Sequence, residues 1–251
     1  MYQDYKKFLF KHNRLYNKMS SASTEPERKK KLMIGLPGLT FSNQFLMGWT
    51  QFMVELIKNN EFEISISPGY STFSPFTRMK TLGLNKQAIS AKAFNSTEYD
   101  VFVTIDSNIL FTYEHVKKLV HLTDKYPVAS GVYMTTDKTV CAIERMDYSV
   151  YNKKGSFDLV SMEKIESIKE TPILQVEFSG MGFFACRRDV LQTLDYPYFW
   201  YQLIDFTAED GTPCRDVPTE EVAFCRRLRD KGYTINLDTS LRVLQEKHVV
   251  F

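Results

Sequence analysis

An alternation of short apolar runs and amphipathic segments between residues 31 and 134 limits what this chain can fold into. Runs with the length and composition of strands lie at 31–36, 62–67, 99–105 and within 126–134. Segments with helical spacing lie at 42–60, 84–95 and 112–123. Strands that alternate with helices predict an α/β domain whose central sheet is mostly parallel and flanked by helices.

The second half of the chain is less regular. Residues 139–178 predict short strands and hairpins, with the turn sequence NKKGS at 152–156. Residues 187–194 predict a short helix, and residues 219–232 predict a longer one that Thr219 would cap. We therefore expect a smaller antiparallel portion beside the main sheet.

The composition is typical of a soluble globular protein, with 43% hydrophobic and 25% charged residues. A formal net charge of only +2 argues against a dedicated nucleic-acid-binding protein. No apolar run reaches the roughly 20 residues that a membrane span needs, and the N-terminus has no continuous apolar signal segment. The four cysteines have no zinc-ligand spacing and predict reduced thiols. We therefore expect a cytoplasmic protein.

Residues 1–30 predict a basic helical extension and linker, which would leave residues 31–251 as one domain. Residues 1–31 hold nine Lys and Arg against three Asp and Glu, and residues 2–19 carry apolar residues at helical spacing. Such a helix either touches an anionic surface or a protein partner, or packs on its own domain. The sequence SSASTEPERKK that follows reads as a polar linker.

The strand 99–105 runs directly into Asp106-Ser107-Asn108, and this polar triplet is the main candidate for chemistry. The carboxyl ends of strands in an open α/β sheet form the edge where ligands bind. A carboxylate and a second oxygen donor two residues later suit Mg²⁺ or Mn²⁺ carrying a diphosphate. The alternative is structural, because Asp106 and Asn108 are also common in turns that precede a helix.

Five segments, taken in order, resemble the GT-A class of nucleotide-sugar glycosyltransferases, especially the short proteins of this type encoded by phages and large DNA viruses. The segments are LMIGLPGLTF, YDVFVTIDSNILF, YPVASGVYMTTD, FSGMGFFACRRDVL and TEEVAFCRRLRDKGYTINLDTSLRVLQEK. The second resembles the strand that carries the family's D-x-D motif. The last resembles the acidic helix start, the following strand and the terminal G-H-E-K. The resemblance covers roughly residues 31–251 and implies a GT-A-like fold.

The resemblance also implies roles for individual residues. Glu221 would be the general base that deprotonates the acceptor hydroxyl, with Glu220 beside it. Both are also ordinary acids for a first helical turn. The implied metal ligands are Asp106, Asn108 and Gln245. The implied nucleotide- and sugar-binding residues are Gly35, Leu36, Pro37, Lys86, Gln87, Asp106, Ser107, Gly180, Met181 and Gly182.

Several positions depart from the family pattern, and all of them concern chemistry. Asn108 replaces the second Asp of D-x-D, and Leu244-Gln245 replaces a Gly-His whose His commonly binds metal. Glu221 stands where the family has Asp. The position of a nucleotide-contacting Arg falls near Lys86 and Gln87. Because neutral amides replace charged ligands, Mn²⁺ or Mg²⁺ binding is expected to be weak or lost.

Two functions from different classes follow. The first is a glycosyltransferase that moves a sugar from a UDP- or GDP-type donor to a hydroxyl of a sugar, glycan or protein acceptor. The second is a catalytically degenerate GT-A-like structural or binding protein, for example a viral particle or assembly component, with a protein partner bound through residues 1–31. A nucleotidyltransferase fits the same fold, but this chain lacks a glycine-rich basic phosphate loop near its N-terminus.

Overall fold

The computed structural model describes residues 28–68, 75, 77–78, 98–135, 138–208 and 210–246. Most of the predicted N-terminal extension and the predicted helix at 84–95 lie outside the described residues, as do Lys86 and Gln87. The division into an extension and one domain therefore stays a prediction.

A seven-stranded sheet forms the centre of the molecule. Its strands are β1 (Lys30–Leu36), β2 (Phe62–Pro68), β3 (Val101–Ile105), β5 (Val128–Val132), β7 (Ile173–Val176), β9 (Phe183–Arg187) and β12 (Ile235–Arg242). Their order across the sheet is β2-β1-β3-β9-β5-β12-β7. The pairings give five strands one direction, while β9 and β7 run the opposite way. The predicted α/β class with a mostly parallel sheet is confirmed.

Three small antiparallel sheets surround the central one, as predicted for the second half of the chain. They pair β4 (Ile109–Leu110) with β13 (Leu244–Gln245), β6 (Ala142–Ile143) with β8 (Phe178–Ser179), and β10 (Ile204–Thr207) with β11 (Pro213–Asp216). The first of these pairs joins the segment after Asp106 to the end of the described chain.

Helices cover both faces of the central sheet. They are α1 (Asn43–Asn59), α2 (Tyr113–Lys125), α3 (Tyr148–Lys154), α4 (Met162–Ser167), α5 (Arg188–Leu191) and α6 (Glu220–Asp230). The hydroxyls of Ser42 and Thr112 accept the backbone N–H groups of Phe45 and His115, which caps α1 and α2. Thr219 occupies the cap position of α6 but makes no side-chain capping bond. No helix among the described residues is long and apolar enough to cross a membrane.

The core is divided between the two sheet faces because successive strand residues point to opposite sides. Val101 and Val103 of β3 pack in one cluster with Phe52 of α1 and Val116 of α2. Phe102 packs in the other cluster, with Phe224 and other residues of α6. Thr104 therefore lies on the α6 face of β3, and this places its hydroxyl toward the candidate site.

The prediction of only short strands and hairpins across 139–178 is wrong in part, because α3 and α4 lie within it. Asp147 caps α3 by accepting the backbone N–H of Ser149, and Ser161 caps α4 by accepting that of Lys164. The turn predicted at 152–156 begins only at Gly155, which has a left-handed φ of 72° after the last residue of α3.

A network of polar contacts on Glu61 ties the start of β2 to α2. Its carboxylate accepts hydrogen bonds from Tyr113 at 2.9 Å and His121 at 2.7 Å, and it lies 2.8 Å from the amine of Lys117. Burial acts to raise the pKa of Glu61, but the hydrogen bonds from Lys117, His121 and Tyr113 outweigh it and lower the pKa to about 2. The folded state therefore favours the ionised form of this carboxyl.

Replacement of Glu61 with Gln is expected to lower the free energy of unfolding by about 1 kcal/mol at pH 7. The lowered pKa contributes stability that is present above the ordinary value of 4.5 and is lost as pH falls toward about 2. The difference between Glu61→Gln and the wild type should therefore shrink across that window, which urea unfolding at several pH values measures. A difference that does not change with pH would contradict this role for the carboxylate.

Candidate functional site

The carboxyl ends of β1, β3 and β5 meet at one edge of the sheet, and Asp106 is the first residue after β3. Its backbone N–H donates to the carbonyl of Gly182 at 2.9 Å, and that of Ser107 donates to the carbonyl of Pro37 at 3.1 Å. The turn after β1, the polar triplet and the 180–182 segment are therefore joined at this edge. These are the segments in which the family resemblance placed the nucleotide and the sugar.

The turn after β1 depends on a glycine. Gly38 has a φ of 150°, and a Cβ atom on it would lie 2.2 Å from the hydroxyl oxygen of Ser107. Only glycine permits this conformation together with so close an approach of two loops. Gly35 lies within β1 opposite Thr104, and Leu36 is buried at the strand end. Among these turn residues, Pro37 makes the backbone contact to the Asp106 loop.

The guanidinium of Arg78 is the centre of the site, and its side chain is only 1% exposed. Nε donates to the hydroxyl of Thr104 at 3.3 Å, and Nη1 donates to Oε1 of Glu220 at 3.2 Å. Nη2 lies 3.1 Å from Oδ1 of Asp106 and 2.9 Å from Oε1 of Glu221. One buried cation therefore joins the end of β3 to the start of α6.

The two carboxylates on Nη2 also reach the surface. The side chain of Asp106 is 32% exposed and that of Glu221 is 22% exposed, whereas Glu220 is buried. Asp106 and Glu221 therefore both reach solvent beside the same guanidinium. The two adjacent acids at the start of α6 differ, because Glu221 is partly exposed and Glu220 is buried.

Burial determines the protonation behaviour of the cluster. It raises the pKa values of Asp106 and Glu221 above their ordinary values, and this effect outweighs the opposing effect of Arg78. Glu220 also raises the pKa of Asp106, and Asp106 and Glu220 raise that of Glu221. For Arg78 burial acts to lower the pKa, but Glu221, Asp106 and Glu220 together raise it. The arginine therefore stays charged, and the carboxyls of Asp106 and Glu221 bind protons more readily than free side chains do.

The 180–182 segment packs closely against Tyr133 at the end of β5. A Cβ atom on Gly180 would lie 2.1 Å from the Tyr133 hydroxyl, and the N–H of Gly182 donates to that hydroxyl at 3.1 Å. Met181 is fully buried in the core. Protein atoms fill the space beside Gly180 and Gly182. In this structure, the group that closely approaches both glycines is the side chain of Tyr133. A role of the three residues in sugar binding stays a prediction.

Cys141 packs beside this segment, and its carbonyl accepts the backbone N–H of Gly180 at 2.7 Å. Its thiol would lie 2.4 Å from a Cβ atom on Gly180. Burial raises the pKa of the Cys141 thiol to about 11. The thiol is therefore protonated at neutral pH and is not an activated nucleophile. The four cysteines are free, as predicted from their spacing.

Asn108 and Gln245, the other predicted metal ligands, also lie near this edge. Gln245 pairs with Ile109, the residue after Asn108, and the backbone N–H of Glu246 donates to the carbonyl of Asn108 at 2.7 Å. Sequence reasoning did not select Glu246, whose carboxylate accepts the hydroxyl of Ser42 at 2.5 Å. The end of the described chain is thus held beside Asn108 and the start of α1.

The donor set does not fit Mn²⁺ or Mg²⁺ held by the protein alone. Asn108 and Gln245 are neutral, and the carboxylate of Asp106 already lies 3.1 Å from the Arg78 cation, which repels a second one. Within the described ranges, no three His, Cys, Asp or Glu side chains are arranged to hold a metal ion.

Sequence reasoning missed Arg78, although one signal pointed to it. Counting back from the polar triplet by the family spacing gave Lys86 and Gln87, which lie outside the described residues. Arg78 is the only arginine between the sequences of β2 and β3. Arg78 was therefore the one arginine in the segment between β2 and β3 that could reach a carboxylate at the end of β3. It lies farther from Asp106 in the sequence than the family spacing indicates for an arginine.

A cavity of about 710 Å³ lies at the opposite edge of the sheet, near Arg28, Tyr99 and Arg187. Arg28 pairs with Asp100 there, and Arg187 pairs with Asp189. Because parallel α/β sheets bind ligands at the carboxyl ends of their strands, the Asp106 edge is the stronger candidate for the functional site.

The mixed α/β sheet carries the cluster of Arg78, Asp106 and Glu221 at the carboxyl edge of its parallel strands. Two solved structures are similar to this one, each with a TM-score of 0.46. The structure of A197 from STIV is 15% identical, and the match covers 88% of this chain and 97% of that one. The structure of GalNAc-T7 with UDP, GalNAc and Mn²⁺ is 11% identical, and the match covers 90% of this chain and 45% of that one. No family model and no curated protein matches the sequence.

Proposed function

We propose that this protein is a glycosyltransferase that moves a sugar from a nucleotide-diphosphate donor to a hydroxyl of a sugar, glycan or protein acceptor. One observation carries the proposal. Nη2 of Arg78 contacts both Asp106 and Glu221, so a strand-end carboxylate and a helix-start carboxylate lie beside one guanidinium and both reach solvent. The family resemblance implied roles for Asp106 and Glu221, which are far apart in the sequence.

Glu221 serves as the general base in this proposal. Its carboxylate takes the proton of the acceptor hydroxyl while the hydroxyl oxygen forms a bond to the anomeric carbon of the donor sugar. The bond from that carbon to the diphosphate breaks, and the nucleotide diphosphate leaves with the electron pair. The raised pKa of Glu221, which burial causes, makes its ionised form a stronger base than a free glutamate.

Asp106 binds the donor in this proposal. Its partly exposed carboxylate accepts hydrogen bonds from sugar or ribose hydroxyls, which a carboxylate does well. Arg78 makes all of its described contacts within the protein and acts as a positioning residue. Its Nη2 contacts one oxygen of Asp106 and one of Glu221, and this restricts the rotamers of both carboxylates.

Calorimetric titration with UDP and with GDP tests donor binding. We expect one nucleotide to bind, and we expect Asp106→Ala to weaken the binding at least about tenfold, which corresponds to ~1.4 kcal/mol. Asp158→Ala is the matched control because Asp158 is an exposed acid on the loop after α3. The titration is run with and without Mn²⁺. Three carboxylates already lie around one guanidinium, and a diphosphate adds negative charge that a divalent cation would balance.

A second candidate is a GT-A-like structural or binding protein that has lost catalysis. The neutral Asn108 and Gln245, and the poor fit of the crevice to a divalent cation, favour it. If this second candidate is correct, the titration should show a folded protein that binds neither UDP nor GDP, with or without Mn²⁺. That outcome would overturn the glycosyltransferase proposal.

A further inference from the structure

Tyr133, the residue that follows β5, has a buried hydroxyl that the proposed chemistry does not use. Its side chain is buried at the same edge of the sheet as Asp106. The hydroxyl accepts the backbone N–H of Gly182 at 3.1 Å. Burial raises the pKa of Tyr133 well above its ordinary value, so the phenol stays protonated. A buried hydroxyl is unfavourable unless it makes hydrogen bonds, and this one is used to hold a backbone group.

The 180–182 segment that Tyr133 holds also contacts both residues of the proposed chemistry. The carbonyl of Gly182 accepts the backbone N–H of Asp106 at 2.9 Å. The backbone N–H of the residue before Gly182 lies close enough to the Glu221 carboxylate to act to lower the pKa of that carboxyl. One short stretch of backbone therefore contacts the strand-end acid, the helix-start acid and the buried phenol.

The ring of Tyr133 lies directly against this backbone. A Cβ atom on Gly180 would lie 2.1 Å from the phenol oxygen, and one on Gly182 would lie 2.9 Å from the ring carbon that bears it. Because both residues lack a Cβ, no side chain separates the ring from the segment. The phenol thus limits how far the segment can move toward β5.

The start of the segment is held by other buried groups. The hydroxyl of Ser179 donates to the hydroxyl of Ser130 in β5 at 2.8 Å, and both side chains are buried. The thiol of Cys225 in α6 donates to the carbonyl of Ser179 at 3.6 Å. Because Ser179 is held separately, loss of the Tyr133 hydroxyl would loosen Gly182 without detaching the whole segment.

We propose that Tyr133 is a positioning residue whose hydroxyl holds the backbone of Gly182. Through that backbone, Tyr133 sets the position of Asp106 relative to Glu221. The inference rests on the proposed glycosyltransferase function, in which Asp106 binds the donor and Glu221 takes the acceptor proton. Arg78 contacts the same two residues through their side chains, and the 180–182 segment contacts them through its backbone.

Tyr133→Phe tests the proposal because it removes the hydroxyl and keeps the ring. With the donor that the nucleotide titration selects, we expect kcat for sugar transfer to fall about tenfold, since small misplacements of a reacting group slow a reaction strongly. The Kd of UDP or GDP should change less than about threefold. Donor binding needs only Asp106, which Arg78 also contacts, whereas transfer needs both carboxylates correctly placed.

The matched control is Tyr99→Phe. Tyr99 is 2% exposed, and its hydroxyl has no hydrogen-bond partner within the described residues. This variant removes the same atom from another buried tyrosine, so it should change kcat less than about twofold. Wild-type transfer by Tyr133→Phe, or equal losses in the two variants, would overturn the proposal. An unfolded Tyr133→Phe protein would overturn it too, because the hydroxyl would then serve the fold as a whole.

Amide hydrogen exchange measured by NMR separates a failure of this inference from a failure of the proposed function, because it needs neither donor nor acceptor. In Tyr133→Phe, we expect the amides of Asp106 and Gly182 to exchange at least about tenfold faster than in the wild type, with no such change in Tyr99→Phe. If the wild type transfers no sugar but this difference is seen, the glycosyltransferase proposal fails and the contact inferred from Tyr133 to Asp106 holds. Unchanged exchange at Asp106 overturns the positioning role, whatever the activity.

Discussion

Arg78→Met is expected to lower the free energy of unfolding by about 3–5 kcal/mol, the largest stability effect of any substitution considered for this protein. The guanidinium is fully buried and contacts Asp106, Glu220 and Glu221. Its removal takes away the cation that all three carboxylates contact, and the cost of keeping these neighbouring groups ionised is borne by the folded state and not by the unfolded chain. Urea unfolding at pH 7.5 measures the loss.

The loss should depend on pH in a direction that identifies its cause. Without Arg78, the pKa values of Asp106 and Glu221 rise further, because the arginine acts to lower both. The folded variant then binds more protons than the unfolded chain, so its stability falls as pH rises through those values. The deficit relative to the wild type should be smaller at pH 5 than at pH 7.5.

Two further variants separate charge from packing. Arg78→Met/Glu220→Gln removes one of the three neighbouring negative charges and should be more stable than Arg78→Met alone. Arg229→Met breaks a partly exposed pair with Glu177 and should cost only about 0.5–1 kcal/mol. An Arg78→Met protein as stable as the wild type, or a deficit that is the same at both pH values, would show that the cluster does not depend on this cation.

Glu221→Gln is expected to reduce sugar transfer by about 10²–10⁴-fold while donor binding is retained. Glutamine keeps the shape of the side chain and can still accept a hydrogen bond from the acceptor, but it cannot take its proton. Initial rates of transfer with the donor that the nucleotide titration selects provide the measurement. Glu114→Gln is the matched control, since Glu114 is an exposed acid in the first turn of α2.

The pH profile adds a second test of the base. Transfer requires ionised Glu221, so kcat/KM should fall as pH decreases through the pKa of Glu221. Because burial raises that pKa, the fall in kcat/KM should occur above the ordinary value of 4.5. A Glu221→Gln protein that transfers sugar at the wild-type rate would remove Glu221 from the chemistry. Equal losses in Glu221→Gln and Glu114→Gln would point to a general effect on the fold instead.

The regular part of the fold was predictable from sequence for a clear physical reason. Apolar runs such as 99–105 are buried on both faces of the sheet, and α1 and α2 begin at Ser42 and Thr112, whose hydroxyls cap them. The strand-end position of Asp106 follows from the same pattern. These features depend on local sequence, which is why spacing and capping residues were sufficient.

The features that could not be predicted depend on distant partners. Arg78 becomes recognisable only when β3 and α6 bring three carboxylates to it. The difference in burial between Glu220 and Glu221 depends on which side of α6 faces that guanidinium. Helical spacing in 42–60 correctly identified α1, but spacing alone does not tell which of its apolar residues would be buried. Phe45 is buried and its neighbour Leu46 is exposed.

The reversed strand β9 has a consequence for biosynthesis. It lies between β3 and β5, yet both of those strands precede it in the chain by more than fifty residues. During translation β3 and β5 therefore leave the ribosome with unpaired edges, and the two halves of the sheet stay separate until β9 is made. Asp106 also receives its backbone partner, Gly182, only then. Nascent chains that end before residue 187 should thus need protection from aggregation and carry no assembled crevice.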